Sequence, residues 1–107
     1  MKPQALQLNR FVVICTFNSG SRATFDRGLK GAGEALPLAD NAWLLRAVGT
    51  AGSVRNHLFQ HMGARDTLLV LQLDAVRTAT QNFGPEMDAR VRAMLYLETA
   101  VPQAASA

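Results

Sequence analysis

The chain has 107 residues, 49% of them hydrophobic, which is enough for one domain and too few for two. Its net charge is +3, with nine Arg against two Lys, and a pI near 9.8 permits contact with phosphates or an anionic surface without requiring it. A single cysteine excludes an intramolecular disulfide and a cysteine-based zinc cluster, and fits a reducing cytosol.

Residues 1–10 carry Pro3 and mixed polar side chains and read as a loose lead-in. The start "MKPQALQLNRF" has no apolar h-region, so no signal peptide is expected. The longest apolar runs are about seven residues, against the roughly 20 a membrane span needs, so a cytoplasmic protein without membrane contact is expected.

Phe11 to Phe17, "FVVICTF", is β-branched and aromatic and predicts a first strand. Phe11, Val13, Cys15 and Phe17 fall on one face, Val12, Ile14 and Thr16 on the other, which predicts a central, covered strand. Asn18-Ser19-Gly20-Ser21 supplies turn chemistry and helix caps. From Arg22 to about Leu36, Phe25, Leu29, Ala32 and Leu36 make one helical stripe. Gly28, Gly31 and Gly33 weaken that helix and signal close packing or an early end.

"EALPLAD" and "NAWLLRAV" predict two short strands joined at Asp40-Asn41, with Pro37 confining the first to an edge. Thr50 to Ser53 caps a second helix with Val54, Leu58, Phe59 and Met62 on its apolar face and Gly63 as its C′ residue. "DTLLVLQLD", Asp66 to Asp74, is the other strong strand. Residues 74–84 read as either a loop or a short strand with Val76, Thr78 and Thr80 on one side. "FGPEMDARVRAMLYL" is a third helix, with Pro85 in its first turn, a stripe of Met87, Val91, Met94 and Leu95, and i,i+4 pairs Glu86–Arg90 and Asp88–Arg92. Residues 98–107, "AVPQAASA" with its neighbours, are expected to be a disordered tail.

This order predicts an α+β, ferredoxin-like βαββαβ domain over residues 11–97, with an antiparallel sheet, two helices on one face and an extra C-terminal helix. Helices on one side leave the other sheet face to be covered, either by the C-terminal helix or by a second copy in a homodimer.

The stretch "NAWLLRAVGTAGSVRNHLFQHMGARDTLLVLQLD" resembles the small ferredoxin-like CRISPR adaptation proteins and their stand-alone virulence-associated-protein-D-like relatives. The likeness rests on Trp43-Leu44-Leu45, the Val54–Met62 helix and Asp66-Thr67-Leu68-Leu69-Val70, and covers Phe11 to Asp74 in element order. It implies a homodimer whose sheets pack face to face or share a last strand. Nucleases of that group carry an Asp near the end of the first strand; here Thr16 stands at that place. A neutral hydroxyl cannot anchor a divalent metal as a carboxylate does, so the resemblance implies a degenerate site.

Cys15 has no basic neighbour in sequence and reads as a buried, inert thiol. His57 and His61 have the i,i+4 spacing of metal-binding histidines, but Leu58 replaces the glutamate of the zincin signature and both fall beside the apolar face. "GLKGAGEA" matches no phosphate-loop pattern. No metal site and no cofactor are expected. Trp43 and the phenylalanines read as core or interface filling. Arg22, Arg27, Lys30, Arg46 and Arg55, with Arg65, read first as scattered solvated charge and second as phosphate contacts. The sequence therefore supports a non-enzymatic homodimeric protein acting through protein contacts. The alternative is a nucleic-acid-binding protein of the same lineage; a metal-dependent nuclease with its carboxylate supplied from elsewhere ranks third.

Overall fold

A computed structural model describes residues 8–73 and 81–96. The predicted alternatives for 74–80, most of the lead-in and the tail lie outside the described residues. The chain divides into two compact units at 74/75.

The first unit contains β1 (Leu8–Thr16), α1 (Arg22–Ala32), β2 (Gly33–Ala39), β3 (Ala42–Val48), α2 (Ala51–Phe59) and β4 (Thr67–Leu73). The strands form one antiparallel sheet in the order β2-β3-β1-β4. With the helix that follows, the protein is α+β, βαββαβ plus a C-terminal helix. The second unit contains α3 (Pro85–Tyr96), entered through Asn82 and Gly84, both at positive φ, with Pro85 as its first residue. Asp88 accepts from Arg92 Nε at 2.9 Å, one of the two predicted i,i+4 pairs. Among the described residues, no helix is long and apolar enough to cross a membrane.

The period-2 pattern of β1 places Phe11, Val13 and Cys15 on one face, and all three are completely buried. Trp43, Leu45 and Ala47 of β3 continue that face, and Phe25, Leu29, Val54 and Leu58 of the two helices close over it. Burying side chains of this size stabilises the fold by about 1.5–3 kcal/mol each. Phe17, Phe25 and Trp43 form an aromatic cluster with ring centroids 5.2 to 6.3 Å apart, Phe17 edge-to-face with the other two rings and Phe25 tilted against Trp43. The indole Nε1 of Trp43 is buried without a hydrogen-bond partner, so no hydrogen bond holds this ring in place.

Both helix starts follow the sequence signals. Ser21 Oγ accepts from Thr24 N–H at 3.2 Å, and Thr50 and Ser53 form a reciprocal capping box. Asp40 and Asn41 form the two-residue turn between β2 and β3, and β2 is an edge strand with an irregularity at Pro37/Ala39.

Four expectations are corrected. The lead-in is shorter than ten residues, because β1 starts at Leu8 and pairs Leu8, Asn9 and Arg10 with Val48, Ala47 and Arg46. The first helix ends at Ala32, so Leu36 is a strand residue opposite Leu44, not the end of a helical stripe. The helix runs straight into β2 at Gly33, where a Cβ would collide with the Arg46 carbonyl. In the second helix, Phe59 is 68% exposed: it lies one residue past Leu58, about 100° around the wheel from the buried stripe. That helix stops at Phe59 with Gln60 as its cap, so Gly63 serves the following loop.

Candidate functional site

The end of β1 is where the sequence directs attention. Thr16 is exposed and pairs with Thr67 of β4, so two hydroxyl residues stand where a nuclease of the resembled group would hold a carboxylate. The loop that follows turns its backbone N–H groups inward, and they converge on one acid, Asp66. Its Oδ1 accepts from the N–H groups of Asn18 (2.6 Å), Ser19 (2.7 Å) and Gly20 (3.1 Å). Its Oδ2 accepts from Gly20 (3.1 Å) and from Gly63 (2.7 Å). Successive N–H groups in a turn make an anion-binding nest, and here the anion is the chain's own side chain.

Two more bonds join the same loops. Ser19 Oγ accepts from Arg65 N–H at 2.9 Å, and Asn18 Nδ2 donates to the Arg65 carbonyl at 3.0 Å. Only glycines fit where the loops meet. A Cβ on Gly20 would collide with the Asp66 carboxylate and the Gly63 nitrogen, and one on Gly63 with Gly20 N and Ser19 Oγ.

The electrostatics follow from these contacts. The Ser19 N–H, ahead of those of Gly20, Gly63 and Asn18, holds the Asp66 carboxyl well below the ordinary carboxylate range, against an opposing contribution from desolvation. Desolvation pushes the Cys15 thiol up to about 11, and the negative charge of Asp66 adds to it. Cys15 is buried and protonated at neutral pH, which suits packing and not nucleophilic chemistry. Asp66 directly precedes Thr67, the strand partner of Thr16, yet both of its oxygens are engaged by backbone. A metal ion there would have to displace the bonds that fix two loops. Among the described residues, no three His, Cys, Asp or Glu side chains gather in a metal-binding group.

The histidines lie between α1 and α2. His57 Nε2 is 3.0 Å from the Gly28 carbonyl, which can only accept, so the nitrogen donates. The His61 ring covers Gly28 so closely that a Cβ there would strike it, and the two rings are 5.3 Å apart. Both are half-buried boundary residues. They explain Gly28, which opens α1 to the facing helix.

The predicted phosphate contacts are distributed as follows. Arg22 lies 5.1 Å above the Trp43 ring and donates to the Asp40 carbonyl at 2.8 Å. Arg27 is exposed and reaches Thr24 Oγ1 at 3.4 Å; Lys30 pairs with Asp26 at 3.2 Å. Arg55 is exposed on α2 and reaches Asn56. Arg46 alternates with Trp43, Leu45 and Ala47, so it points to the sheet face opposite α1 and α2, where it pairs with Glu34 at 2.6 Å. The helices therefore carry four of the five cations, and Arg46 lies on the opposite side of the sheet.

Sequence reading missed Asp66. Its only signal was an acid opening a strand after a Gly-containing turn, and its partners at 18–20 are 46 to 48 residues away. The sheet face opposite α1 and α2 is the remaining unusual surface. Leu8, Val12, Ile14, Leu44, Val48, Leu69 and Leu71 share it by register. Of these, Leu8, Val48, Leu69 and Leu71 are 42 to 49% exposed. Comparison of the chain with protein-family models, with curated proteins and with solved structures finds no match.

Proposed function

We propose that the chain is a non-enzymatic homodimeric protein that acts through protein contacts on a ferredoxin-like frame. Read from the β4 edge, the strand order is 4-1-3-2, which supports the split βαβ arrangement. The observation that carries the functional reading is the sheet face opposite α1 and α2. Four large apolar side chains, Leu8 paired with Val48 and Leu69 with Leu71 along β4, stay exposed there, and apolar exposure of this kind marks protein contact. Two further observations support a role without catalysis. Thr16 supplies no carboxylate, and Asp66 is engaged in joining two loops. The resemblance to small CRISPR adaptation proteins and their relatives belongs to this proposal, and with it the expectation of a dimer and a degenerate site. Light scattering after gel filtration tests the reading: it expects a dimer.

A second reading, nucleic-acid binding, is favoured by Arg27, Lys30 and Arg55 standing exposed on the two helices that share one side of the sheet. It predicts retardation of single- or double-stranded DNA or RNA in a native gel at 50 mM salt, weakening steeply as salt rises. Unchanged mobility at low salt removes it.

A further inference from the structure

His57 and His61 are the chain's two histidines, and the fold sets them side by side. His57 lies in the last turn of α2, and His61 follows directly after the cap residue Gln60. Both are half-buried against α1. The i,i+4 spacing alone says little, but three features of the structure add to it.

The first is how His57 is held. Its Nε2 donates to the Gly28 carbonyl at 3.0 Å, and it lies over Gly31, where a Cβ would sit 3.6 Å from the same nitrogen. A ring N–H given to a backbone carbonyl fixes the tautomer and leaves the other nitrogen, Nδ1, with its lone pair free. Histidines that bind metals are commonly oriented in this way. The second is that His61 makes no hydrogen bond to the described residues. Its Cβ, Cγ and Cδ2 rest against Gly28, which turns the Nδ1 edge of the ring away from α1. Glycine at position 28 therefore gives the ring a fixed seat, and little side-chain freedom remains to be lost on binding.

The third feature is distance. With metal–nitrogen bonds of about 2.0–2.1 Å in the ring planes, two imidazoles on one tetrahedral ion have centroids about 5.2 Å apart. The two rings here are 5.3 Å apart. The end of α2 adds partial negative charge from its last carbonyls, which favours a cation beside it.

We propose that His57 and His61 form an open site for a divalent transition metal ion of the zinc class. The chain supplies two nitrogens and solvent the remaining positions, since no third His, Cys, Asp or Glu joins them among the described residues. Neutral nitrogen donors select such an ion over magnesium or calcium, which take oxygen ligands. The missing glutamate of the zincin signature bears on catalysis and not on binding, and the site does not depend on the assembly of the chain.

The experiment titrates the full, untagged chain with zinc chloride and follows the ring-proton NMR signals of the two histidines. Both rings are expected to respond along one curve with one ion per chain, and magnesium chloride is expected to move neither. His57→Gln keeps an amide donor for the Gly28 carbonyl, and His61→Gln keeps a polar side chain against Gly28. Each is expected to weaken zinc binding in calorimetry by at least about tenfold, with unchanged far-UV circular dichroism. The proposal is overturned if one ring alone responds, if the two follow different curves, or if magnesium acts as zinc does. A folded variant that keeps zinc affinity within that tenfold also overturns it. If a variant loses its fold, the ring signals of the wild type decide.

Discussion

Asp66 shows how much one side chain can organise. Its carboxylate satisfies N–H groups from two loops that would otherwise lack partners, and it sets the β1–α1 connection against the turn before β4. The pH dependence follows from its lowered pKa. The folded chain holds this group deprotonated to lower pH than the unfolded chain, whose Asp titrates near about 3.9. The unfolded state therefore binds more protons below about pH 4. The stabilisation from Asp66 is fully present above that pH and is lost as pH falls toward the folded value. Asp66→Asn is expected to unfold at lower temperature than the wild type at pH 7, with the gap narrowing at pH 3. A gap of constant size in thermal unfolding across that range would contradict the clasp. Cys15, three residues before the clasped loop begins at Asn18, was legible as inert from its apolar strand alone. Asp66 was not, because its role comes from backbone groups brought to it by the fold.

At the scale of elements, the strands and caps were the most readable parts. Phe11 to Thr16 and Thr67 to Leu73 are continuous apolar runs, and Ser21 and Thr50 are unambiguous caps. The α1–β2 junction was misread for a physical reason: Leu36 keeps the helical spacing of Phe25, Leu29 and Ala32, so periodicity alone carries the helix too far. The glycines hold the missing information. Gly33 lets the strand begin at once, since a Cβ there would collide with the Arg46 carbonyl and come within 2.9 Å of Ala47 Cβ. Gly33→Ala is therefore expected to destabilise the fold by about 1–3 kcal/mol, the usual range for an overpacked site, seen as a lower urea midpoint at unchanged m-value. A variant as stable as the wild type would mean the junction is looser than its geometry. Phe59 teaches the same lesson in reverse: a large apolar residue in a helix was assigned to the core, yet its angular position turns it outward.

For the molecule as a whole, the sequence indicated that two strongly apolar strands need cover on both faces, and α1 and α2 cover one. The exposed Leu8, Val48, Leu69 and Leu71 on the other face turn that deficit into an expectation about assembly. The predicted cations divide between the two sides of the sheet, and Arg22, Lys30 and Arg46 have contacts within the chain, which weighs toward protein contact over a phosphate groove. The molar mass in solution is the most direct test of this account. Light scattering should return twice the 11.6 kDa of the chain and keep that value at high salt, because an apolar contact gains nothing from salt-screened charge. A mass of 11.6 kDa at every concentration would contradict it.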